Sequence, residues 1–116
     1  MEISIARIYE NKTTGNEIRI LVDRLWPRGI SKDDAKLDYW HKEWAPGNEL
    51  RKEFHQNKIS WNEFRKKYQE ELESKKQEIL EDLQELDKRK ALLLLYGARD
   101  KEQNHAILLQ EFLENL

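Results

Sequence analysis

Asp23, Arg24, Trp26 and Arg28 crowd into the seven residues DRLWPRG, directly after the apolar run Ile18-Arg19-Ile20-Leu21-Val22. A second polar group, Arg99 and Asp100 followed by Asn104 and His105, comes directly after the run ALLLLY at 91–96. Guanidinium forks match carboxylate and phosphate oxygens in a way that a point charge does not. Histidine titrates near neutrality, so His105, oriented by Asp23 or Asp100, has the chemistry of a proton carrier. Tryptophan offers a flat face for stacking. These residue types describe a small anion pocket. Arg24, Arg28 and Arg99 would hold the anion, Asp23 would orient an arginine, and Trp26 and Asp100 would line the site. His105 with Asn104 would contact the recognised or reacting group, and Asp23 and His105 are the candidates for proton transfer. In open α/β sheets ligands gather beyond the carboxyl ends of strands, where both groups fall if the preceding runs are strands.

Each of these residues also has a plain structural reading. Asp23 and Arg24 suit an internal ion-pair network, Trp26 suits packing alone, His105 suits a bond to a nearby carbonyl, and Asp100 suits a helix cap. Other chemistries are poorly served. His41, His55 and His105 lack metal-ligand spacing, so no metal is expected. The glycines stand apart at 15, 29, 47 and 97, without a phosphate-cradling loop. Cysteine is absent, which removes thiol chemistry and disulfides. Ser31 and Ser60 read as helix caps, and no cofactor is called for.

The positioning elements follow from pattern. Residues 3–9 (ISIARIY) and 18–22 read as strands. The turn chemistry between them, ENKTTGNE at 10–17, is short for a helical crossover, so an antiparallel hairpin is expected, with a loop-only parallel crossing as the other option. Ser31 with Asp33 and Asp34 starts a helical turn over 31–36. Residues 37–44 (LDYWHKEW) read as a short strand with Trp40 and Trp44 on one face, and 48–55 as a helix. Ser60 and Glu63 open a long helix by a capping box. Its stripe over 61–87 would run roughly 40 Å if straight, so a break is expected near Ser74. The run 91–96 does not alternate and reads as a central strand buried on both faces. Asp100, with Gln103 at the reciprocal position, is the expected cap of the last helix. At 116 residues the chain is read as one domain, 1–116. It is a small layered α/β domain with a mostly parallel sheet of about four strands and helices on both faces.

Charged residues are 38% of the chain, yet the formal net charge is −2, so no bulk basic field recruits nucleic acid. No apolar run approaches the ~20 residues that span a bilayer, and MEISIARIYE does not read as a signal peptide. A cytoplasmic protein without membrane contact is expected.

The chain resembles the YeaO-like family, a bacterial domain of unknown function numbered 488. The resemblance is carried by RILVDRLWPRG at 19–29, Trp40-His41-Lys42-Glu43, Ala45-Pro46, Glu49-Leu50-Arg51-Lys52, Phe54-His55, Trp61-Asn62-Glu63-Phe64, Tyr68, Leu94-Leu95-Tyr96, and Asp100 with Asn104-His105-Ala106. It covers essentially the whole chain, and LVDRLWPRG and NHA are its most specific parts. It implies an α/β fold in which the strand ends at Val22 and Tyr96 lie side by side. Longer relatives of this kind carry an acid–arginine turn, matched here by Asp23-Arg24. They also carry a cysteine–histidine–arginine triplet on the last helix, matched by Asn104-His105-Ala106. Cysteine is thus replaced by Asn104 and arginine by Ala106, so a thiol mechanism is not implied for this chain.

Three functions stay open at this point, as does whether the protein is an enzyme. The leading one is a small arginine-lined polar pocket for a phosphorylated or carboxylated small molecule. The second is an accessory module for nucleic acid or protein, in which Arg24, Arg28, Lys32, Arg51, Lys52 and Trp26 form a basic and aromatic patch. The third is a scaffold without a ligand. The sequence leaves the oligomeric state open.

Overall fold

The computed structural model describes residues 1–12 and 15–116. Four strands, β1 (Ile3–Arg7), β2 (Ile18–Leu21), β3 (Tyr39–Trp40) and β4 (Leu92–Tyr96), form one sheet in the order β1-β4-β2-β3. All three pairings are parallel, with Ile3 opposite Leu92, Ile18 opposite Leu92 and Ile20 opposite Tyr39. The hairpin expected between the first two strands does not form. β4, the most apolar segment, inserts between them and is buried at every residue. Residues 8–17 still suffice for the crossing. Ten residues reach roughly 33 Å, against ~16 Å of strand to retrace and ~10 Å of sideways travel. The crossing begins as a 3₁₀ turn, Ile8–Glu10. Part of the turn expected over 10–17, residues 13 and 14, lies outside the described residues.

Side-chain alternation along the strands creates two unequal layers. Ile18, Ile20, Leu92, Leu94 and Tyr96 face α2 (Asn48–His55), α3 (Trp61–Ser74), α4 (Lys76–Gln84) and α5 (His105–Glu114) through Leu50, Tyr68, Leu72, Ile79, Leu109 and Leu113. Leu21, Leu93 and Leu95 face a thinner layer of Ile8, Ile30, Ala35, Trp26 and Trp40. Helices therefore cover both faces, but the second face has only the single turn α1 (Lys32–Ala35) and its flanking loop.

Local chemistry explains most boundaries. Ser31 caps α1 by accepting from Asp34 N, and Ser60 caps α3 by accepting from Glu63 N. The long helix breaks at Lys75, between α3 and α4; there the Ser74 hydroxyl donates to Glu71 O at 2.6 Å, a local bond that competes with the helix ladder. Residues 37–44 depart from expectation. The strand stops after Trp40, and a 3₁₀ turn, Lys42–Trp44, follows. The turn sends Trp40 to the thin layer and Trp44 to the helical one, not to a shared face. No helix among the described residues is long and apolar enough to cross a membrane.

Candidate functional site

β1, β2 and β4 run the same way, so their carboxyl ends open on one side of the sheet. A cavity of about 260 Å³ lies there, at the small end of ligand pockets. Tyr9 follows β1, residues 23–27 follow β2, and Gly97, Ala98 and Gln103-Asn104-His105 follow β4. α2 contributes Arg51, Phe54 and His55, and Phe64 of α3 adds part of an apolar wall. The adjacent parallel pairing of β2 with β4 thus brings the DRLWP turn and the NHA segment together.

Asp23 and His105 meet directly. His105 Nε2 lies 2.9 Å from Val22 O and 3.3 Å from Asp23 Oδ1. A carbonyl can only accept, so Nε2 carries a proton in this contact. Asp23 Oδ2 accepts from Gly97 N at 2.8 Å. Glycine suits that bond, because a Cβ at 97 would stand 2.9 Å from the same oxygen and Asp23 would have to shift. Burial pushes the Asp23 carboxyl up from its ordinary value; the charge of His105 and the Gly97 N–H oppose that rise. Its other oxygen, Oδ1, is buried and has no hydrogen bond within the chain. Tyr68 underlies this pair, with its ring edge toward His105 at 6.1 Å and its hydroxyl donating to Trp44 O. Complete burial pushes the Tyr68 hydroxyl well above its ordinary range.

The arginines divide. Arg24 lines the cavity but is committed to the loop opposite: Nε donates to Pro46 O at 2.9 Å, Nη2 to Ala45 O at 3.3 Å, and Nη1 lies 3.8 Å from Glu43. Arg28 and Arg99 are exposed and are not among the lining residues. Arg28 instead lends its carbonyl to the Tyr9 hydroxyl at 2.9 Å. The cation that reaches the cavity unclaimed is Arg51. Its Nε is buried without a hydrogen-bond partner. His55, one turn further along the same face of α2, is pushed down by burial first and then by the positive charges of Arg51 and His105, with Asp23 opposing.

Trp26 lines the cavity while its indole N–H is tied to Ile30 O at 2.7 Å and its ring packs edge-on to Trp40 at 5.2 Å. Asp100 is not a lining residue and does not cap α5. It receives the N–H groups of Glu102 and Gln103 at 2.8 and 3.0 Å. The cap is Asn104, whose Oδ1 accepts from Ile107 N while Nδ2 donates to Asp100 O. Asparagine, with a donor and an acceptor on one short side chain, closes both ends of that turn. His105 is accordingly the first residue of α5.

Arg51 and His55 are the basic lining residues that the anion-pocket reading did not assign. Their i, i+4 spacing beside Phe54 was the available signal. Among the described residues no group of three or more His, Cys, Asp or Glu could hold a metal. Among the described residues, no serine, threonine, cysteine or lysine lines the cavity.

Fold and site define a small parallel α/β domain with a mostly apolar cavity at its strand ends, furnished with one carboxylate, two imidazoles and an unclaimed guanidinium. Residues 2–116 match the model of the inactive DUF488-N3 subclade, and the chain belongs to that family. It is 44% identical over 116 residues to the uncharacterized protein YeaO of Escherichia coli (strain K12), covering all of both chains. It is 36% identical over 111 residues to the uncharacterized protein Rv3073c of Mycobacterium tuberculosis (strain ATCC 25618 / H37Rv), covering 96% of this chain and 92% of that one. No solved structure matches the chain.

Proposed function

We propose that the protein binds a small phosphorylated or carboxylated molecule in this cavity and does so without covalent catalysis. The observation that carries the reading is the buried Arg51 Nε with no partner in the chain. An unpaired buried donor on a cation is costly, by about 1–3 kcal/mol, and an anionic ligand relieves that cost. Arg51 takes the anion, with His55 beside it. Arg24, expected to share this task, holds the Ala45-Pro46 wall in place instead. His105, Asp23 and Asn104 form the far wall. Three things support binding without a covalent step: Asn104 stands where the family resemblance has cysteine, no serine, threonine, cysteine or lysine is among the described residues that line the cavity, and the family is described as inactive. The absence of cysteine supports a cytoplasmic location, and the bacterial relatives support a bacterial one.

The test is thermal denaturation with a panel of small carboxylates, phosphate esters and short single-stranded oligonucleotides. A ligand at one hundred times its Kd adds about 2.7 kcal/mol. The reading expects a shift from small acids that disappears in Arg51→Gln. A shift from oligonucleotides alone, falling steeply with salt, would replace it with the accessory-module reading. No shift from any of them would favour the scaffold.

A further inference from the structure

The cavity holds two opposite vacancies. Arg51 Nε is a buried donor with nothing to donate to, and Asp23 Oδ1 is a buried acceptor without a hydrogen bond. They do not satisfy each other, since no ion pair joins Arg51 to Asp23 within 4 Å. His105 cannot fill the second vacancy, because the single proton on Nε2 is directed to Val22 O at 2.9 Å and only leans toward Oδ1 at 3.3 Å. Gly97 occupies Oδ2 alone. Arg51 and Asp23 line the same cavity of about 260 Å³, so one small molecule there meets both residues. Between them the lining is aromatic and apolar, with Trp26, Phe54 and Phe64.

A simple anion suits only half of this arrangement. A carboxylate or phosphate near Arg51 also meets the Asp23 charge, and like charges in a partly desolvated site repel. A ligand that brings its own N–H or O–H to Asp23 turns that repulsion into a charge-assisted hydrogen bond. Resting on the anion reading above, we propose that the ligand is a small acid that also carries a hydrogen-bond donor, an ammonium or a hydroxyl, beside an apolar body. The acid group goes to Arg51 and the donor to Asp23 Oδ1. Asp23 is then a specificity residue in this site, not a general base.

Titration calorimetry of the full chain with 3-phenylpropanoate, 3-phenyllactate and phenylalanine tests this. The three share a ring and a carboxylate, and they differ by no donor, a hydroxyl and an ammonium. The expected result is that at least one donor-bearing acid binds about 10-fold or more tightly than 3-phenylpropanoate, the ratio that one charge-assisted hydrogen bond supplies. The same titration of Asp23→Asn should erase that preference, with 3-phenylpropanoate binding more tightly once the repelling charge is gone. The wild-type comparison decides the matter by itself if the variant does not fold. Equal binding of all three acids, lost in Arg51→Gln, would overturn the donor inference and leave the anion reading standing. No binding by any of the three would overturn the donor inference, and the anion reading falls with it if the phosphate esters of the thermal panel also give no shift.

Discussion

Arg19 and Arg51 are both drawn into the molecule, and they are used in opposite ways. Arg19 lies on β2, 2% exposed, on the thin side of the sheet. Its guanidinium donates to the carbonyls of Asn11, Ala35 and Lys36 and to Asn11 Oδ1, over 2.8–3.3 Å. Its backbone N–H is held by Asp38 Oδ2 at 2.8 Å. The side chain thereby stitches the end of α1 to the sheet, including Lys36, which sits in the left-handed region at φ 50°. Arg51 reaches a cavity at the strand ends and has a buried Nε with no partner. A guanidinium saturated by carbonyls is part of the fold; one left open beside a cavity is a place for something else. Arg24 falls between these cases, lining the cavity while bound to its wall.

The contrast breaks most visibly at Arg19. Arg19→Met strands four acceptors in a thin layer that has little else to hold it. Unfolding in urea or by heat should show a loss of about 3 kcal/mol, roughly 10 °C in a domain of this size. A loss below about 1 kcal/mol would mean that the loop carries itself.

Gly97→Ala tests the wall between the two regions. Its Cβ would press on Asp23 Oδ2 at 2.9 Å, so Asp23 must move. The expected cost is about 1–3 kcal/mol, together with a loss of preference for donor-bearing acids. Unaltered stability would show that Asp23 is free to give way.

Arg51→Gln sharpens the comparison from the other side. It should leave stability unchanged or raise it, by up to about 1–3 kcal/mol as the unpaired donor is removed, and abolish the thermal shift caused by small acids. Destabilisation on the scale of Arg19→Met would return Arg51 to the structural class.

The smallest effect concerns pH. His41 is stacked on Trp44 at 4.3 Å, and burial pushes it below its ordinary value, with the Asp82 charge opposing. A depressed histidine is neutral in the folded chain while the unfolded chain takes up a proton. Its contribution is therefore whole above about pH 6.5 and drains away as pH falls through the folded value. His41→Phe keeps the stack and removes the titration. Its melting temperature should fall less than that of the parent between pH 7 and 5.5, by the equivalent of under about 1 kcal/mol. Parallel curves would show that His41 has no part in the acid limb.

The sequence was most legible where one residue type answers one local need. Ser31 and Ser60 were readable as caps because a hydroxyl at a helix start has one main use. The run 92–96 was readable as a central strand because nothing else hides five consecutive apolar residues. The break after Ser74 followed from length alone. Direction and partnership were harder. The parallel setting of β1 depends on β4, some ninety residues away, which no local pattern encodes. Trp40 and Trp44 parted because a 3₁₀ turn shifted the register that alternation assumes. At the site, adjacency of Asp23 and His105 followed from two strand ends. The arginines are hard to tell apart in sequence for a physical reason. Arg24, Arg28 and Arg51 carry the same group, and only the carbonyls of residues 45 and 46, supplied by a distant loop, decide that Arg24 is already occupied.

Arg51 is thus an open donor and Arg19 a closed one. Arginine Nε–H resonances in a ¹⁵N-labelled sample read this directly during titration with phenyl phosphate. The account predicts a saturable shift and slowed exchange for Arg51 Nε–H, with Arg19 Nε–H already protected and unmoved. An Arg51 signal that is protected from the start, or that does not respond while the others drift together, would contradict it.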